Sequence, residues 1–288
     1  MCARKHVKVE KDMDMDLFTK VVDQVAGWTE LIILHASGEP LLNHNIIEMI
    51  KYCSKKGIGT WLSTNGMLLK EKTAKGLLES PLDALVIAID GATKETYEKI
   101  RVGGRFEVVE ANADRFLTLH RTKSSRMMVT IQMIEMDENR SEVQLFKNRW
   151  MKHPNANVFV KPMVDWSDQY NKVVKHETGA RYKQIVCDRP WNWLIVKSDG
   201  TIPICAHDIG CNYPIGDANN EDIFDIWNSR QMQAYRRKVA KGKQGFELCS
   251  SCDYHPARKR NIAGNMALVF LDMLTISKLL FAFGYKKE

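Results

Sequence analysis

The sequence has no low-complexity tract and no arginine-rich block. Without such a block, its net charge of +7 is a modest basic excess that suits anionic ligands or surfaces. No nucleic-acid partner is expected. The N-terminus, Met1-Cys2-Ala3-Arg4-Lys5-His6, lacks the apolar run of a secretory leader, so a reducing, cytoplasmic setting is expected. A membrane span is also disfavoured. The long apolar stretch 266–283 carries Asp272 and Lys278, and each costs about 2.5 to 3.5 kcal/mol near the centre of a bilayer. It reads as a helix docked on the barrel or at a subunit contact, with a membrane-surface helix as the alternative.

What is present is ordinary for a globular chain: 44% apolar and 27% charged residues over a length of 288. That length allows one large domain, or one domain with a smaller companion. The seven cysteines, in a reducing setting, point to metal or catalytic roles before disulfides.

The chain is organised around residues 30–42. An apolar run, Leu31 to Leu34, has the length of a buried strand and stops at Gly38-Glu39-Pro40. Before it, Asp14 to Trp28 reads as a helix. After it, Asn43 is expected to cap a helix running to Lys55, whose apolar face makes Cys53 a small core residue. A second strand ends in Ser63-Thr64-Asn65-Gly66, and a third, Ala84 to Ile89, ends in Asp90-Gly91. Met127 to Met136 and Asn157 to Val160 read as further strands, with helices between. Strand–helix units of about 25 to 35 residues argue for parallel strands joined by right-handed crossovers, as a barrel or an open sheet. The polar turns then lie together at the carboxyl ends of the strands, where α/β folds bind ligands.

Residues 164–186 lose this pattern and read as a linker. Trp193 to Val196 and Thr201 to Ile204 read as a hairpin about Asp199-Gly200, and Asp222 to Arg237 as a helix. Cys187 and Cys205 form one pair and Cys249-Ser250-Ser251-Cys252 another. A two-residue gap lets both thiolates of the second pair reach one metal. With Cys205 and Cys187 as third and fourth ligands, the set suits zinc or a [4Fe–4S] cluster, and ligand softness does not separate them. Cys211 reads as a spare.

Together these motifs resemble the radical S-adenosylmethionine (SAM) superfamily, with a C-terminal SPASM- or twitch-type iron–sulfur extension. The resemblance rests on Gly38-Glu39-Pro40, Ser63-Thr64-Asn65-Gly66, Ile89-Asp90-Gly91-Ala92-Thr93, and the pattern Cys-x12-Gly-x4-Cys followed by Cys-x2-Cys. It implies a partial TIM-type (β/α) barrel over 1–163 lacking its first strand, a small α+β cluster domain over 187–255, and a C-terminal helix over 256–288. It further implies that Gly38, Glu39 and Pro40 hold the SAM amino group largely through backbone, that Ser63 and Asn65 lie near the ribose, that Gln132 lies near the cofactor, and that Asp90 faces the reaction space. Cys187, Cys205, Cys249 and Cys252 would hold one auxiliary [4Fe–4S] cluster.

Two features depart from the family pattern. The radical [4Fe–4S] cluster needs Cys-x3-Cys-x2-Cys, and here only Cys2 stands as its last member. Ala88 stands where the family often has a serine at the SAM carboxylate. The implied chemistry is formation of a 5′-deoxyadenosyl radical and hydrogen abstraction from a peptide or a sugar- or aminocyclitol-like substrate. A flavodoxin- or ferredoxin-like protein would donate electrons. The competing expectations are a degenerate, non-catalytic metal-binding scaffold and a zinc-binding adaptor.

Overall fold

A computed structural model describes residues 11–36, 38–123, 125–163, 186–250 and 252. The chain divides into two compact units, one containing Lys11–Met163 and the other Val164–Glu288. The expectations for Cys2, for the linker up to residue 185 and for the helix at 266–283 lie outside the described residues.

The first unit is a parallel sheet with helices on one face. Its strands are β1 (Leu31–Ile33), β2 (Gly59–Thr64), β3 (Ala84–Ala88), β4 (Met128–Glu135) and β5 (Asn157–Pro162), hydrogen-bonded in that order. Between them run α2 (Ile46–Lys55), α3 (Glu71–Glu79), α4 (Lys94–Ile100), α5 (Phe106–Thr122) and α6 (Val143–Trp150), with α1 (Met15–Val25) ahead of β1. Strand order following chain order is what repeated right-handed crossovers produce. In β4, Val129, Ile131 and Met133 are buried while their alternate neighbours are half-buried. The buried set packs with Leu62, Leu85, Ile87, Phe116, Phe146 and Trp150 in one core. Thr130, Gln132 and Ile134 therefore face away from the helices.

The α/β class holds, and five parallel strands in chain order are the arrangement a partial barrel is built from.

Local details differ from the sequence expectations. Asn43 does not cap α2. Pro40–Leu42 form a turn of 3-10 helix, the Asn43 side chain accepts from the Asn45 N–H at 2.9 Å, and Asn45 occupies the capping position. Asp14 does cap α1, accepting from Leu17 N–H at 2.8 Å. Cys53 is fully buried among Phe18, Val22, Met49 and Ile58, as a core residue should be.

The second unit pairs β6 (Thr201–Pro203) with β7 (Pro214–Asp217), antiparallel, and carries α7 (Arg189–Asn192), α8 (Ile223–Trp227), α9 (Arg230–Ala240) and α10 (Glu247–Ser250). The hairpin partner is therefore Pro214–Asp217 and not Trp193–Val196. The buried carboxylate of Asp208 explains why: it accepts from the N–H groups of Asn212 and Tyr213, both at 2.8 Å, and so folds the loop that returns the chain to β6. Gly200 is obligatory here. Its φ is +92°, and a Cβ would lie 2.0 Å from Asn219 Nδ2. The expected helix over 222–237 breaks at Ser229, whose hydroxyl caps α9 through Met232 N–H at 3.2 Å.

Candidate functional site

Three strand ends build the candidate site in the first unit. After β1, Gly38 takes a φ of +138° and has open space where a Cβ would sit. The side chain of Glu39 is fully engaged. One carboxylate oxygen accepts from the Thr64 hydroxyl at 2.7 Å and from Leu41 N–H at 3.1 Å, and the other accepts from Asn65 N–H at 2.8 Å. Glu39 thus staples the turn after β1 to the turn after β2, and Pro40 opens the short 3-10 turn that follows. Asn65 turns its side-chain oxygen back to Met67 N–H at 2.9 Å, and Ser63 donates its N–H to His35 Nδ1 at 3.0 Å.

Asp90, just beyond β3, is completely buried. Its carboxylate pairs with Arg101 at 2.6 Å and accepts from Ile134 N–H at 2.8 Å. Asn139 donates to its carbonyl at 3.0 Å. The Asp-Gly step is tight, because a Cβ at Gly91 would lie 2.7 Å from the Tyr97 nitrogen. Ala92 N–H, Thr93 N–H and the hydroxyls of Thr93 and Thr96 all donate to Glu142, which pins the start of α4 from a distant segment.

Strand register identifies the face opposite the helices. Ser63 pairs with Val86, Ala88 with Gln132, Gln132 with Phe159, and Ile134 with Lys161. Ser63, Ala88, Gln132 and Lys161 therefore share that face. His35 is neutral: burial, and then the charge of Lys161, push its value down to about 4. Burial also lowers Lys161, against the pull of Asp90. Sequence reasoning missed His35, Arg101, Glu142 and Lys161. His35, Arg101 and Glu142 act through partners outside their own turn, and Lys161 is placed by strand register, so no local spacing announces any of them.

In the second unit Cys187, Cys205, Cys249 and Cys252 line one small cavity, together with Arg189, His207, Tyr235, Lys243 and Leu248. Cys211 is not among its lining residues. The Tyr235 hydroxyl lies 3.6 Å from Cys249 Sγ, and His207 Nδ1 lies 3.2 Å from Cys252 Sγ. The Lys243 ammonium donates to the Cys252 carbonyl at 2.9 Å. Burial pushes the Cys187 and Cys249 thiols up to about 12 and the His207 imidazole down to about 3. Thiolates gathered in such a place require a cationic partner. Among the described residues, no three His, Cys, Asp or Glu side chains are placed to hold a single metal ion. Four cysteine sulfurs around one cavity are a donor set of the kind that holds zinc or an iron–sulfur core.

The second cluster implied by the resemblance does not find its ligands here. It needs three thiolates near the first strand, and this chain offers only Cys2 at that place. Cys53 is held in the core. No step is derived through that cluster.

Comparison with known proteins agrees with this division. Residues 1–144 match the model of the Radical SAM superfamily, and residues 187–253 match that of an iron-sulfur cluster-binding domain. A tungsten-containing aldehyde ferredoxin oxidoreductase cofactor-modifying protein from Pyrococcus furiosus is 33% identical over 93 residues, 31% of this chain and 26% of that protein. An Fe-coproporphyrin III synthase from Methanosarcina barkeri is 30% identical over 97 residues, 34% of this chain and 24% of that protein. The matches thus span about a quarter of these relatives. Among solved structures, anSMEcpe with bound AdoMet gives a TM-score of 0.62 at 15% identity, covering 99% of this chain and 92% of that one. BtrN in complex with AdoMet and 2-DOIA gives 0.58 at 15% identity, covering 88% and 87%. Such low identity speaks for the fold alone. The family model, by contrast, covers half of the sequence and includes all three polar strand ends, and on that ground the chain belongs to the radical SAM superfamily.

Proposed function

We propose that this chain binds SAM across the carboxyl ends of β1, β2 and β3 and carries one auxiliary [4Fe–4S] cluster on Cys187, Cys205, Cys249 and Cys252. It serves an enzyme that abstracts hydrogen from a peptide or a sugar- or aminocyclitol-like substrate. In such an enzyme, SAM cleaved reductively supplies a 5′-deoxyadenosyl radical.

The observation that carries this reading is the shared cavity of the four cysteines. The chain's own residues have separable tasks. Gly38, Glu39 and Pro40 present backbone groups to the SAM amino group, with the Glu39 carboxylate reserved for holding the turn. Ser63 and Asn65 flank the ribose, and Gln132 lies on the face toward the cofactor. Asp90 acts as a positioning residue, since Arg101 and Ile134 occupy its carboxylate. Cys187, Cys205, Cys249 and Cys252 would hold the auxiliary cluster, which would supply an electron acceptor for the substrate radical or a seat for the substrate. Residues 164–186 link the two units, and a flavodoxin- or ferredoxin-like protein donates electrons. The peptide arm of the substrate class draws support from two solved relatives, anSMEcpe with a Cp18Cys peptide and Streptococcus suis SuiB with its precursor peptide SuiA. The aminocyclitol arm draws it from BtrN with 2-DOIA.

The sequence shows one cysteine, Cys2, of the family's three-thiolate motif, and genomic sequence upstream of residue 1 tests whether the other two are encoded. A strand followed by Cys-x3-Cys in frame supports the enzyme. A protein bearing that motif should release 5′-deoxyadenosine from SAM under reductant, and failure to do so would sink the enzyme reading.

A further inference from the structure

Among the described residues, Lys161 on the inner face of the sheet has no counter-charge of its own. Lys161 stands opposite Ile134 in the β4–β5 ladder, two residues beyond Phe159, which stands opposite Gln132. Val158 and Val160 pack against the helix-side core, so Phe159 and Lys161 project from the other face. Lys161 is half-buried, and its ammonium has no hydrogen-bond or ion-pair partner among the described residues. The charged groups near it do not supply one. Asp90 attracts it, but that carboxylate is already paired with Arg101 at 2.6 Å, and together the two are neutral. His35 carries no charge near neutral pH. Ser63, Thr130 and Gln132, polar side chains on this face among the described residues, are uncharged hydrogen-bonding groups. A desolvated ammonium left without a counter-charge is unfavourable, and an oxyanion seated against it removes the cost.

We propose that Lys161, with Gln132 beside it, forms an oxyanion site on the inner face of the sheet, taking a carboxylate or phosphate group of the bound small molecules. This rests on the reading of the first unit as a SAM-binding barrel and extends it to the charge of what the barrel holds. The oxyanion has two sources: the carboxylate of SAM itself, for which Ala88 offers no hydroxyl, or an acidic group on the substrate.

The test uses the whole chain, purified anaerobically, as wild type, Lys161→Gln and Lys161→Arg, each checked for an unchanged thermal melt. Three probes are titrated calorimetrically at low salt: S-adenosylhomocysteine, 5′-methylthioadenosine (which lacks the amino-acid tail) and inorganic phosphate. If SAM supplies the oxyanion, Lys161→Gln weakens S-adenosylhomocysteine roughly tenfold or more and leaves 5′-methylthioadenosine unchanged, while Lys161→Arg retains most of the affinity. If the substrate supplies it, S-adenosylhomocysteine is unaffected, while phosphate binds the wild type and Lys161→Arg but not Lys161→Gln. Equal affinity of wild type and Lys161→Gln for both anionic probes overturns the proposal. Failure of the wild type to bind either nucleoside counts against the SAM-binding reading alone, and the phosphate arm still decides the role of Lys161.

Discussion

Thr64 donates its hydroxyl to Glu39 at 2.7 Å, and that bond joins the carboxyl ends of β1 and β2. Glu39 is therefore a staple as well as part of a binding turn. Glu39→Ala should strand the Thr64 hydroxyl and the N–H groups of Leu41 and Asn65, lowering unfolding free energy by about 2 to 3 kcal/mol in urea melts. Glu39→Gln keeps one acceptor and should lose about half as much. Equal stability of all three proteins would show that the staple is idle.

The Asp90–Arg101 pair gives a second expectation. Asp90 has no exposed side-chain surface and Arg101 retains 23%. Removing one partner of a buried pair leaves the other uncompensated, at about 3 to 5 kcal/mol. Arg101→Met should approach that loss, whereas Arg101→Met with Asp90→Asn should recover part of it in a double-mutant cycle. Strict additivity would mean that the two side chains do not act as a pair.

His35 sets a pH dependence. Its value in the folded chain falls from 6.5 to about 4, through burial first and the Lys161 charge second. A depressed imidazole contributes stability that is complete above pH 6.5 and lost as pH falls toward 4. The loss should be on the order of 2 to 3 kcal/mol by the acid end. Urea melts across this window should show the slope in wild type and a flatter one in His35→Gln. In Lys161→Gln, the NMR titration of His35 should move upward. An unmoved titration would show that the Lys161 charge does not reach the imidazole.

The fold was largely legible because strand and helix periods alternate cleanly and each strand stops at a turn dipeptide. The same signals located Gly38, Ser63, Asn65 and Asp90 at one end of the sheet. What they could not give was the use of each side chain. Glu39 and Asp90 look like free acids in the sequence, and their partners, Thr64, Asn65, Arg101 and Ile134, appear only once the chain folds. The hairpin was misplaced for a related reason. Asp199-Gly200 does turn the chain, but Asp208 decides which later segment pairs with β6. The break at Ser229 was within reach, since serine at that position is an ordinary helix cap.

The Tyr235 hydroxyl beside Cys249 predicts a tuning effect. Hydrogen bonds to cluster sulfurs raise the reduction potential, so Tyr235→Phe should make the reconstituted auxiliary cluster harder to reduce. Redox titration followed by electron paramagnetic resonance reads the shift. A potential equal to wild type, with the cluster intact, would mean that the hydroxyl does not reach the sulfur.

The central claim is that the four late cysteines share one inorganic core, and the most direct measurement is iron, sulfide and zinc analysis of the chain reconstituted without oxygen. The account predicts about four iron and four sulfide at this site. That content should disappear when Cys187, Cys205, Cys249 and Cys252 are all changed to alanine, and persist in Cys211→Ala. One zinc per chain with no sulfide, or iron and sulfide that survive loss of all four thiols, would contradict it.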